Sequence, residues 1–254
     1  MKRETICELR SEDEWDQAWK KARLPKTLNT NSLFGFCFDK LMKKHLQMGM
    51  KLLEIGCAGG KFLIYFKQKF DCDVFGIDYS PVGCKLAEKN LALTKTNGTI
   101  ICDDIFECKG LEKESFDVVF SAGFIEHFDR TEEVIARHID FLKPGGKVII
   151  GLPTMLGFHG FIFRVFNREL FYKHKQLTKK MVEECFSNLG IQIVESSYIG
   201  VIQLESGGKP KYIQPLFYVL NKIFYVILRT LNMFFESQYV SPYIVVIGEK
   251  PISV

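Results

Sequence analysis

From about residue 50 to residue 152, short apolar runs alternate with stretches whose apolar positions recur every three or four residues. That is the rhythm of parallel strands joined by crossover helices. Residues 51–55, 73–77, 99–102, 116–121 and 147–151 predict strands, with helices predicted over 61–70, 81–93 and 132–142. The second helix opens on Ser80-Pro81, a side-chain cap followed by a proline where a missing N–H costs nothing. The third closes on Lys143-Pro144-Gly145-Gly146, a stop that turns into the next strand. Beyond these, 178–189 predicts a helix closed by Gly190, and 191–198 and 243–249 predict two further strands. The first 46 residues carry Trp15, Trp19 and the cluster Leu33, Phe34, Phe36, Phe38, Leu41 and Met42, which predicts helices packed on the sheet.

Composition narrows the picture only slightly. With 254 residues, 47% of them hydrophobic and 25% charged, the chain is built to bury a core without staples. Its 34 basic and 30 acidic residues leave a net charge of +4, too small for nucleic-acid binding to be expected. The eight cysteines show no C-x-x-C spacing, and the start MKRETICELRSEDEW is charged, so reduced thiols and a cytoplasmic protein are expected. The five histidines are scattered with no ligand spacing, and no metal is expected. The conspicuous number is 23 phenylalanines.

The candidate chemistry lies at the carboxyl ends of the predicted strands, where ligands of α/β sheets bind. The first runs into Glu54-Ile55-Gly56-Cys57-Ala58-Gly59-Gly60, small residues that let backbone N–H groups approach a ligand. This spacing is not the dinucleotide G-x-G-x-x-G, which argues against a nicotinamide oxidoreductase. The second strand ends at Asp78-Tyr79-Ser80, a carboxylate placed to accept from ribose hydroxyls. The third ends at Asp103-Asp104, either of which suits an adenine amine or a turn cap, and the fourth at Ser121-Ala122-Gly123-Phe124-Ile125-Glu126-His127.

In this order, EIGCAGG (54–60), GIDYS (76–80), CDD (102–104), FDVVFSAGFIEHF (116–128) and LKPGGKVII (142–150) resemble the class I S-adenosylmethionine-dependent methyltransferases, closely over 50–152. The resemblance implies an α/β, Rossmann-like sheet of seven strands, mostly parallel with an antiparallel last strand. One domain over 1–254 is expected, with a helical cover at 1–46, a cofactor-binding half at 47–152 and aromatic-rich elements at 153–180 and 203–240. Carried over, the resemblance puts Glu54, Gly56, Cys57, Ala58 and Gly60 under the methionine part of S-adenosylmethionine, and Asp78 on the ribose with Tyr79 near the adenine. Asp103 and the Asp104 backbone are assigned to the adenine edge, and Ser121 and Ala122 to the amino acid moiety. Ala58 stands where the motif often has glycine. The pair Glu126-His127 resembles that of ubiquinone-biosynthesis-type enzymes; His127 is the expected general base if the acceptor needs one, and Glu126 a capping or orienting residue.

Motifs for methylating nucleic-acid bases or arginine are absent, so a small acceptor, O, N or C, is expected, with product S-adenosylhomocysteine. Gly157 to Tyr172 and the stretch 212–236 concentrate Phe and Tyr. Over the latter, Gln214, Asn221, Tyr225, Arg229, Asn232 and Glu236 fall in a narrow arc of a helical wheel, which predicts an amphipathic helix. Three roles stand open for it: packing on the sheet edge or in a homodimer, a lid over a lipophilic acceptor, or peripheral membrane contact. The phenylalanine excess is accordingly expected on the substrate or partner side. The alternative to an enzyme is a methyltransferase-like scaffold that binds cofactor or partner without turnover.

Overall fold

The structure, a computed structural model, describes residues 8–205, 210–230 and 236–252. Seven strands form one sheet: β1 (Lys51–Ile55), β2 (Asp73–Asp78), β3 (Thr99–Cys102), β4 (Phe116–Ala122), β5 (Leu142–Pro153), β6 (Gln192–Ile199) and β7 (Tyr243–Glu249). Their order is β3-β2-β1-β4-β5-β7-β6, and β7 runs antiparallel to both neighbours while the pairs from β3 to β5 are parallel. The order reverses between β1 and β4, which opens a crevice at their carboxyl ends. The sheet topology expected from the motifs is therefore the one observed.

Helices cover both faces, because successive strand residues point to opposite sides. Leu53, Ile55 and Val119 pack toward α5 (Thr131–Ile139) and α8 (Lys179–Asn188), with Val134, Ile135, Val182 and Phe186 fully buried there. On the other face Leu52, Val118 and Phe120 meet α2 (Leu33–His45) and α3 (Lys61–Phe70). Phe120 has ring neighbours at 5.0 Å (Phe62), 5.0 Å (Phe66) and 6.0 Å (Phe38). Much of the phenylalanine is thus core, contrary to the expectation that its excess belongs to the flanking segments: Phe38, Phe66, Phe116, Phe120, Phe141 and Phe186 are among the largest fully buried side chains.

One further expectation shifts. The predicted helix over 132–142 ends at Ile139, and residues 142–146 join β5, because Leu142 pairs with Phe116 across a bulge. The aromatic stretch folds as α6 (Gly157–Phe166) and α7 (Arg168–Tyr172). The predicted amphipathic helix is α9 (Gln214–Thr230), and its polar arc turns inward. Asn221 faces inward, accepting from Leu204 N at 2.8 Å and donating to its carbonyl at 2.9 Å, and Phe217 is buried on Phe166. Leu216, Val219, Ile223, Val226 and Ile227 are exposed. Asn232 and the Arg229 side chain lie outside the described residues.

Candidate active site

The cleft sits at the β1/β4 switch point and holds a cavity of about 190 Å³ that opens to solvent. Its floor is the β1 to α3 turn. Gly56 has φ 76°, and a Cβ there would meet the Phe124 ring at 2.7 Å, so both backbone and space demand glycine. Ala58 needs no such freedom: its side chain packs where Gly83 leaves room, and its N–H donates to Asp78 Oδ2 at 3.0 Å. Alanine in place of the usual glycine is therefore accommodated.

Asp78 ends β2 (Asp73–Asp78) and also accepts from Ser80 N at 2.9 Å. Burial pushes its carboxyl up to about 6, against the pull of these two N–H groups. Glu54, on β1 (Lys51–Ile55), is 4% exposed and lines the cleft; its Oε2 is buried without a hydrogen-bond partner. Burial pushes Glu54 up to about 8 and the neighbouring Lys61 down to about 8. Asp103 and Asp104 line the opposite end. Asp103 accepts from Asp104 N at 2.8 Å, while Asp104 accepts from Phe106 N at 3.0 Å and so also caps the following turn.

Tyr79, Ala122 and His127 complete the expected residues that border the cleft. Three do not border it. Cys57 is 1% exposed and packs beneath Gly76; Gly60, at φ 64°, is the N-cap of α3. Ser121 is fully buried, 3.0 Å from His138 Nε2. Since His138 Nδ1 faces the Val134 carbonyl at 2.8 Å and must donate to it, Ser121 donates to Nε2. Burial lowers His138 to about 4, which keeps it neutral as this chain of bonds requires.

A roof that the strand motifs did not reveal comes from the N-terminal segment. Glu8 Oε1 accepts from Trp15 Nε1 at 3.0 Å and from Tyr79 OH at 2.9 Å, and Asp16 accepts from Ser80 Oγ at 2.6 Å. Asn90 holds Lys26 through N–H and carbonyl at 3.0 and 2.7 Å, and Lys173 pairs with Glu14. These ties place Trp15 and Trp19 of α1 (Glu12–Trp19) on the cleft. Trp15 also meets His127 edge-on at 4.9 Å. The only sequence signal for this was the pair of tryptophans, whose partners lie far along the chain.

Residues 53–150 match the family described as methyltransferase domain. Those residues form a methyltransferase domain. Over 113 residues it is 34% identical to phosphoethanolamine N-methyltransferase 1 of Arabidopsis thaliana, a match covering 42% of this chain and 22% of that protein. It is 26% identical to the mitochondrial ubiquinone biosynthesis O-methyltransferase of Schizosaccharomyces pombe over 139 residues, 54% of this chain and 48% of that one. The chain thus spans about a fifth of the first relative and half of the second. Among solved structures, Haemonchus contortus phosphoethanolamine N-methyltransferase 2, in complex with phosphomonomethylethanolamine and S-adenosylhomocysteine, has a TM-score of 0.60 at 22% identity, covering 87% of this chain and 54% of that chain.

The methyltransferase domain's own residues fit S-adenosylmethionine. The orphaned Glu54 Oε2 lacks a cationic donor, which an α-amino group supplies. Asp78 keeps acceptor capacity beyond its two backbone N–H bonds, which suits a diol. The aromatic roof suits the apolar remainder.

Proposed function

We propose that this chain transfers a methyl group from S-adenosylmethionine to a small, apolar acceptor. The observation that carries the reading is the buried Glu54 carboxyl, whose Oε2 has no hydrogen-bond partner, on one cleft with Asp78 and Asp103 at the switch point of the sheet. Glu54 and Gly56 would hold the methionine end, Asp78 the ribose hydroxyls and Asp103 the adenine amine. Bound S-adenosylmethionine supplies an electrophilic methyl carbon. Displacement at that carbon asks mainly for alignment, which the tied-down roof of Trp15 and Trp19 provides by fixing the acceptor and excluding water.

His127 stands at the acceptor end. Its Nδ1 donates to the Lys173 carbonyl at 3.1 Å, which leaves the Nε2 lone pair available. Burial pushes the ring down to about 3, with His174 adding to the effect, so it stays neutral and has little appetite for a proton at pH 7. We therefore give Nε2 an orienting role in place of the general base expected from the sequence.

The aromatic lining by Trp15, Trp19, Phe124 and Phe128 supports an apolar acceptor such as a phenol or quinol. Phosphoethanolamine, named for the relatives above, is the second reading and is supported by that likeness alone. Incubating the full chain with methyl-labelled cofactor and each acceptor separates them: labelled phenol or quinol is expected. Cofactor binding with no labelled product from any acceptor would favour the scaffold alternative.

Affinity for the cofactor is expected to fall as pH drops from about 8 through about 6, as first Glu54 and then Asp78 take up a proton and lose the charges that face the α-amino group and the ribose. Calorimetric titrations of S-adenosylhomocysteine between pH 5 and 8 check the sign.

The outward face of α9 supports peripheral membrane contact. Leu216, Val219 and Val226 are more than half exposed, as are Phe161 and Val165 of α6 (Gly157–Phe166), and Ile223 is exposed beside them. Among the described residues no helix is long and apolar enough to cross a membrane. Contact of this kind is interfacial. Replacing Ile223 and Val226 by Glu is expected to reduce sedimentation with anionic vesicles several-fold without changing cofactor affinity. Unchanged sedimentation would remove the membrane reading and leave a homodimer face, which analytical ultracentrifugation reads.

A further inference from the structure

Glu126 is 1% exposed, and neither of its carboxyl oxygens has a hydrogen-bond partner. Leaving two such oxygens dry and unmet is costly. Beside it lie two imidazoles whose rings are 4.6 Å apart, those of His127 and His174. Each is turned by a backbone carbonyl: His127 Nδ1 is 3.1 Å from Lys173 O, and His174 Nδ1 is 2.6 Å from Leu170 O. A carbonyl only accepts, so both rings carry their proton on Nδ1 and present a lone pair at Nε2. Three acceptor groups therefore converge, with one ligating atom from each within 4.8 Å of the others.

A proton alone does not satisfy this arrangement. A protonated Glu126 would have to donate to His127 Nε2 across 3.9 Å, beyond hydrogen-bond reach. A single water brings two donors to three acceptors. A cation meets all three at once, and the carbonyl bonds on the far side of each ring are the usual way that ligating histidines are oriented.

We propose that Glu126, His127 and His174 bind a divalent first-row transition metal ion at the acceptor end of the cleft. Two imidazoles and one carboxylate are the donor set for Zn²⁺ and its neighbours; Ca²⁺ and Mg²⁺ take oxygen ligands. With metal–ligand bonds of about 2.0 to 2.2 Å the ligating atoms must close to roughly 3.3 Å apart. Arg10 lies near both histidines and opposes a cation, but Glu8, Glu14 and Glu169 surround its guanidinium. His127 borders the cleft, so three protein ligands leave a coordination position for an acceptor oxygen. An ion there polarises a hydroxyl or phenol, whose proton passes to solvent as the oxygen attacks. This last step, unlike the site itself, rests on the methyl-transfer reading above and favours oxygen as the acceptor atom.

The test uses the full chain stripped with a chelator and titrated with Zn²⁺ by calorimetry and with Co²⁺ by absorption. One ion per chain is expected, with a Co²⁺ spectrum lacking the thiolate band that cysteine ligands would give. His174→Ala and Glu126→Gln are each expected to weaken binding by at least about tenfold. Glu126→Gln keeps the shape of the uncharged side chain, so it retains the fold if His174→Ala does not. No stoichiometric uptake by the wild type, a thiolate band, or unchanged binding in both variants would overturn the site. S-adenosylhomocysteine titrated into the same samples reads the methyltransferase reading separately: its binding survives if only the metal assignment is wrong, and fails alone if only that reading is wrong.

Discussion

Asp78→Ala is expected to weaken S-adenosylhomocysteine binding by roughly 100-fold or more. Two ribose hydroxyls donating to one carboxylate are worth about 1.5 to 3 kcal/mol each, and about 1.4 kcal/mol is tenfold in Kd. The carboxylate also accepts from Ala58 N and Ser80 N, so its removal loosens the glycine turn and the start of α4 (Pro81–Leu93) together. Asp78→Asn retains an acceptor oxygen and should lose less. Calorimetry on the two variants checks the order; equal affinities for wild type and Asp78→Ala would remove Asp78 from the site.

Phe120→Ala is expected to cost about 3 to 5 kcal/mol of stability and lower Tm by roughly 10 °C. Phe120 is fully buried in the centre of β4, and the rings of Phe38, Phe62 and Phe66 close around it from α2 and α3. Phe62 also lines the cleft, so collapse of the cavity is felt there too. Tyr212→Ala, at a side chain 83% exposed, should change stability by no more than about 0.5 kcal/mol. Urea unfolding of both variants gives the comparison.

The parts of the molecule legible from sequence are those whose causes are local. Strand runs, the Ser80-Pro81 cap and the small residues after β1 each act within a few positions, and together they placed eight of the expected cofactor residues and His127 on one cleft. What escaped has causes spread along the chain. Cys57 and Ser121 lie in the right motifs, but whether such a side chain faces the cleft or the core depends on Gly76 and His138, which come from other elements. The roof is set by Glu8, Asp16 and Lys26 reaching Tyr79, Ser80 and Asn90. The convergence of His174 on Glu126 and His127 depends on where α7 docks, which no ligand spacing records. The helical wheel of α9 correctly separated two faces and left open which one turns inward; Asn221 bonding to Leu204 decides it.

The central claim is that the cleft between β1 and β4 is a cofactor site used for methyl transfer. Titrating S-adenosylhomocysteine into the wild-type full chain by calorimetry tests it most directly. Saturable binding of one molecule per chain, abolished or weakened about 100-fold in Asp78→Ala, is the result predicted. Absence of any binding heat at several temperatures, with the protein folded, would contradict it.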